Sequence, residues 1–178
     1  MAEVGILKPT DRVELIRGEI VEMSPVGRRH KAFVDNLNQL LTVRIAGRAI
    51  VSVQNPVVLA DDTEPEPDFK ILRRRSLPYK ELEAHGEDAL LIIEVAENSL
   101  SYDRSTKLRL YAEAGIPEYW IVNPLDETSG VLVLRDGAYV ERGPFARGMR
   151  ATSALFPDVS VEVDAVFDAY YPADGDRE

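Results

Sequence analysis

The sequence predicts an α/β fold: a central mixed β-sheet flanked by helices, with an N-terminal hairpin and a C-terminal antiparallel extension. Three observations carry this. Apolar, β-branched segments at residues 49–59, 68–72 and 89–96 follow an amphipathic helical pattern. A second helical pattern over 102–114 stops at Gly115 and Pro117 and feeds directly into the apolar strand 118–122. That order is what a crossover between parallel neighbours needs, and its expected hand is right-handed. Farther on, Asp136-Gly137 separates two short apolar runs and signals a two-residue hairpin.

In chain order, residues 13–23 (VELIRGEIVEM) alternate apolar and polar side chains around Arg17-Gly18, which predicts a hairpin. From about 29 to 46, Phe33, Val34, Leu37, Leu40, Leu41 and Ile45 recur at helical spacing, and Gly47 supplies the stop. The three strand candidates come next, with Pro65 and Pro67 punctuating the approach to the second. Residues 76–88 are polar with one proline and predict a short surface helix or lid. After the crossover, 131–134 and 138–141 form the late hairpin, and 159–163 add a last strand. No repeat or long linker interrupts the 178 residues, so one domain is expected over 1–178. Its core runs from about 13 to 168, with 1–10 and 172–178 flexible.

Composition narrows the chemistry. With no cysteine, disulfides, zinc-thiolate sites, iron–sulfur clusters and thiol nucleophiles are excluded together. The opening residues lack the basic start and apolar run of an export signal, and no apolar run approaches the ~20 residues of a membrane span. A soluble, cytoplasmic protein is expected. Thirty-one acidic against 21 basic residues give a net charge of −10, which argues against broad, sequence-blind affinity for phosphate backbones. Two basic clusters, Arg28-Arg29 and Arg73-Arg74-Arg75, can still offer a positive rim. Taken alone, each reads first as a solvated basic turn.

The residues that carry chemistry are Asp68, Glu94 and Lys107. Glu94 lies near the end of a strand otherwise made of Leu91, Ile92, Ile93 and Val95, where an unpaired ionised carboxylate costs several kcal/mol. It needs a cation, a strong donor or a shifted pKa. Asp68 opens the neighbouring short strand, so two carboxylates converge at one end of the sheet. At ~4 Å their repulsion is ~4 kcal/mol at an effective dielectric near 20. A shared hard cation, Mg²⁺ or Mn²⁺, turns that into attraction. At ~100° per residue, Leu110, Tyr111 and Ala114 fall within ~60° of Lys107, placing the lysine on the sheet-facing stripe. Its ammonium can then reach the acids, orient a water or stabilise charge on an attacked phosphate. The alternatives are an exposed Lys107–Asp103 pair at i,i+4, a Glu94 neutralised by Arg104, and an Asp68 that only starts a strand.

With these residues in place, the chain resembles the PD-(D/E)XK phosphodiesterase superfamily, and within it the bacterial Uma-type restriction-endonuclease-like proteins. Pro67-Asp68 matches the first half-motif and Ile92-Ile93-Glu94-Val95-Ala96 the second, except that Ala96 stands where the superfamily's usual lysine would be. In the Uma-type branch the lysine moves to the following helix, a position that Lys107 fits. The stretch LIIEVAENS…DRSTKLRLYAEAGIPEYWIVNP is the specific part of the likeness. The resemblance implies a restriction-endonuclease-like core and an Mg²⁺-dependent endonuclease or phosphodiesterase site, with Asp68 and Glu94 as metal ligands and Lys107 assisting. DNA is the expected partner, and a homodimer the expected assembly. It also suggests Glu19 as a third carboxylate, against a solvated strand residue. His30, on the stripe of Phe33, Val34 and Leu37, reads as a histidine bonded to a nearby carboxylate or carbonyl, or as a substrate contact alongside Arg28 and Arg29. A binding or assembly module that keeps the nuclease fold, and an enzyme for small phosphate esters, remain as other readings.

Overall fold

The computed structural model describes residues 12–76, 79 and 83–168. The chain opens with an antiparallel hairpin, β1 (Val13–Ile16) and β2 (Glu19–Glu22), as expected. Arg17 and Gly18 turn it with φ of 52° and 79°, the left-handed pair that a tight two-residue hairpin requires. Helix α1 (Arg28–Ile45) buries Phe33, Val34, Leu37, Leu41 and Ile45 on one stripe, the spacing anticipated above.

A six-stranded sheet follows, in the spatial order β3-β4-β5-β6-β7-β8. Strand β3 (Ala49–Val53) ends well short of residue 59. Gln54 turns into the left-handed region at φ 48°, and Asn55-Pro56 cannot continue a ladder. The apolar Val57-Val58-Leu59 instead belong to a folded loop, in which Val57 is buried and Glu64 N–H bonds Leu15 of β1 at 2.7 Å. β4 (Phe69–Arg73) and β5 (Ala89–Val95) pair antiparallel, Phe69 opposite Ile93. Of the expected lid at 76–88, residues 77–78 and 80–82 lie outside the described residues, and the described end is a 3-10 turn, Gly86–Asp88. The proposed flexible ends, 1–10 and 172–178, also fall outside them.

The crossover is a continuous helical stretch: α2 (Leu100–Tyr102), a π-type turn (Asp103–Lys107) and α3 (Leu108–Glu113). It delivers the chain to β6 (Glu118–Asn123), which runs parallel to β5. β7 (Thr128–Arg135) and β8 (Ala138–Phe145) form the late hairpin about Asp136 and Gly137, longer than the sequence pattern indicated. A two-stranded pair, β9 (Arg150–Thr152) and β10 (Ser160–Glu162), leads into α4 (Val163–Phe167), a helix the sequence reading did not anticipate.

The sheet carries a core on each face. Phe69, Ile71, Ile93, Trp120 and Val122 pack with α1 and α4. Ile92, Ala96, Tyr119, Ile121 and Leu132 pack with Tyr111 of α3. Because side chains alternate along a strand, Glu94 shares the face of Ile92 and Ala96, toward the π turn and α3. No described helix is long and apolar enough to cross a membrane.

Candidate functional site

Strand register brings the two acids together. Phe69 pairs with Ile93, so the residue before β4 meets the one after Ile93. Asp68 N–H donates to Glu94 Oε2 at 3.3 Å, and Val95 N–H donates to Asp68 Oδ2 at 2.9 Å. His30, which α1 turns inward, lies with Nε2 2.8 Å from Asp68 Oδ1. The histidine is thus bonded to a carboxylate, as one sequence reading had it.

Lys107 completes the group from the end of the π turn. Its ammonium lies 2.8 Å from Glu94 Oε1 and 2.9 Å from Glu14 Oε1, with the three side chains 7%, 6% and 3% exposed. Tyr111, one turn farther along, donates its hydroxyl to the same Glu94 oxygen at 2.8 Å. Arg104 does not neutralise Glu94; it forms a two-pronged pair with Glu141, both contacts at 3.1 Å. Asp103 is buried and accepts from Ser99 Oγ at 2.5 Å.

Three expected site residues lie elsewhere. Glu19 is exposed on β2, and Glu14 on the partner strand is the early glutamate that reaches the lysine. Glu14 fell on the polar phase of the alternation, which hides a buried carboxylate among solvated ones. Arg28 and Arg29 are exposed in the first turn of α1 and do not line the cavity; Arg29 spans out to the carbonyl of Pro124 at 3.3 Å. Tyr111 was visible as a member of the Lys107 stripe, but its hydroxyl role was not drawn from it. A buried phenol needs a partner, and that rule was the available signal.

The electrostatics follow from burial. Glu94 is pushed up to about 8, first by burial and then by the charges of Asp103 and Asp68, against the pull of Lys107. Burial likewise raises Asp103 to about 6. Burial alone would depress Lys107, but the surrounding Glu94, Glu14 and Asp103 outweigh it and keep it charged. For His30, burial lowers the pKa, and the hydrogen bond and charge of Asp68 more than reverse that.

These groups face a cavity of about 290 Å³ whose lining also includes Arg12, Glu22, Glu66 and Glu97. Among the described residues no group of three or more His, Cys, Asp or Glu side chains is arranged to hold a metal ion. The donors at hand are two hard carboxylates, Asp68 and Glu94, with excess negative charge around them. That set fits Mg²⁺, which keeps several waters and is commonly held by one or two carboxylates plus phosphate oxygens.

A family model described as Uma2, "Putative restriction endonuclease", matches residues 2–164. The chain belongs to the Uma2 family. No curated protein matches it. The Uma2 chain is similar in fold to the crystal structure of a putative nuclease belonging to DUF820 from Anabaena variabilis ATCC 29413. The TM-score is 0.73 and the sequence identity 14%, over 93% of this chain and 94% of that one. The shared architecture is the nuclease-like one expected from the sequence, a mixed sheet with flanking helices and an added hairpin.

Proposed function

We propose that this Uma2 chain is a Mg²⁺-dependent endonuclease that hydrolyses DNA phosphodiester bonds, with Mn²⁺ as a substitute ion. One observation carries the reading: a lysine ammonium is buried against Glu94, whose strand neighbour Asp68 opens onto the same cavity. Asp68 and Glu94 would hold the ion. When bound, it supplies Lewis-acid polarisation of the phosphoryl oxygen and neutralises developing charge. Lys107 orients the attacking water and stabilises negative charge on the phosphate. Tyr111 fixes the Glu94 carboxylate, and His30 fixes Asp68. Glu14 holds the ammonium from its other side, so that the lysine cannot turn out of the cavity.

The test is cleavage of circular plasmid DNA with Mg²⁺ by the wild-type protein, Asp68→Ala and Lys107→Ala. The wild type is expected to nick or linearise it, and each variant to be slower by ~100-fold or more. Equal cleavage by all three would assign the activity to a contaminant and overturn the proposal. A second reading, a dimeric binding module that keeps the nuclease fold, draws support from the acid-rich lining, which repels phosphate in the absence of a cation. Absence of Mg²⁺ binding by calorimetry, together with a stable dimer in solution, would select it.

A further inference from the structure

The π-type turn that ends in Lys107 is held from both sides. On its inner side Asp103 is bonded to Ser99. On its outer side Arg104 reaches across to Glu141 of β8 through two contacts of 3.1 Å. The seat beneath this pair is Gly130 of β7, at a break in the β7–β8 register between Ser129 and Val131. A Cβ added at Gly130 would sit 2.8 Å from Glu141 Oε1 and 3.6 Å from the Arg104 guanidinium. A side chain there would force the Glu141 carboxylate to shift from its place against β7, where Arg104 meets it.

We infer that Glu141, seated over Gly130 and gripping Arg104, is a positioning residue that holds the π turn and thereby aims the Lys107 ammonium at Glu94 and Glu14. A π-type turn inserts one extra residue into a helix and is rare, occurring mostly as a single turn within an α-helix. If the insertion is lost, the helix face beyond it rotates by one residue, ~100°, enough to carry a side chain off the stripe that faces the sheet. Arg104 lies within the turn and Lys107 three residues on, so the strut acts where the rotation would begin. Arg104 is bonded to Glu141, and Lys107 is the cation bonded to Glu94. The inference concerns the lysine's placement and deepens the proposed hydrolytic role.

The test reads the lysine directly in metal-free protein. In protein labelled with ¹⁵N-lysine, the Lys107 ammonium resonance, assigned by its loss in Lys107→Arg, should exchange its protons slowly because it is buried between two carboxylates. Glu141→Gln and Gly130→Ala should each speed that exchange by ~10-fold or more, the equivalent of ~1.4 kcal/mol of lost closure. Both should keep the far-ultraviolet circular dichroism of the wild type. The reversed pair Arg104→Glu with Glu141→Arg should restore protection. Unchanged exchange in both single variants, or no recovery in the reversed pair, would overturn the inference. A wild type that cleaves no DNA yet shows this exchange pattern would overturn the nuclease proposal and leave the strut standing.

Discussion

Replacing Lys107 with methionine keeps the aliphatic stem and removes the charge, so it measures what the ammonium contributes to the fold. Its two partners, Glu94 and Glu14, are 6% and 3% exposed, and water cannot take the ammonium's place readily. Removing one member of a buried ion pair typically costs ~3–5 kcal/mol, because a buried charge is left uncompensated. With two carboxylates left without it, a loss within that range is expected, largest at high pH. The cost should depend on pH, and its sign follows from Glu94. Its folded pKa is already raised to about 8, so the folded state binds a proton more tightly than the unfolded state. That contribution to stability is fully present below the ordinary carboxylate range and is lost as pH rises toward 8. The wild-type carboxyl therefore keeps its proton at pH 6, and because Lys107 opposes the shift, its removal moves the folded value higher still, so the two proteins differ in the charge on Glu94 only as pH passes 8. Urea unfolding of wild type and Lys107→Met at pH 6 and pH 9 should show a smaller difference at the lower pH. A loss below ~1 kcal/mol that does not change with pH is the range of an exposed pair, and would mean that the ammonium is solvated and the site geometry wrong.

Four further outcomes follow from the same contacts. Tyr111→Phe should destabilise by ~1–3 kcal/mol, since it removes the hydroxyl that bonds a buried Glu94 oxygen, and thermal melts will read it. Glu118→Ala should cost ~3 kcal/mol or more in urea unfolding, because Glu118 accepts from the Trp120 indole, the Ser153 hydroxyl and the backbone N–H groups of Ala154 and Leu155. Mg²⁺ at about 100 times its dissociation constant should stabilise the wild type by ~2.7 kcal/mol, a gain that Asp68→Asn abolishes in a melting experiment. Ala96→Lys should not restore plasmid cleavage to Lys107→Ala, and it should lower the melting temperature, because Ala96 is fully buried among Ile92, Tyr111 and Ile121.

The last of these concerns where the lysine stands. The position two residues past Glu94 is packed against the aromatic side chains of the opposite layer, and Lys107 approaches the same carboxylate from the helix instead. The sequence made that visible, because Lys107 lay on the stripe with Leu110 and Tyr111, and a buried strand carboxylate had to be compensated. It also showed the hairpin at Arg17-Gly18, where both residues adopt positive φ. Two features were not legible. Glu14 alternates with Val13 and Leu15 just as a solvated residue would, and only the docking of the hairpin on the loop at Glu64 turns its face inward. The end of β3 was obscured because Val57, Val58 and Leu59 are apolar for a different reason: they stitch a loop into the core rather than extend a strand.

The Glu14–Lys107 contact joins a residue near the start of the described chain to one more than ninety positions later. During synthesis the ammonium has no complete set of partners until both β1 and the crossover helix have emerged and docked. A fragment that stops before the crossover carries Asp68 and Glu94 without their cation, and one that lacks the first hairpin leaves the lysine free on one side. Under the proposed function, this dependence would keep the cutting centre unassembled in partial chains.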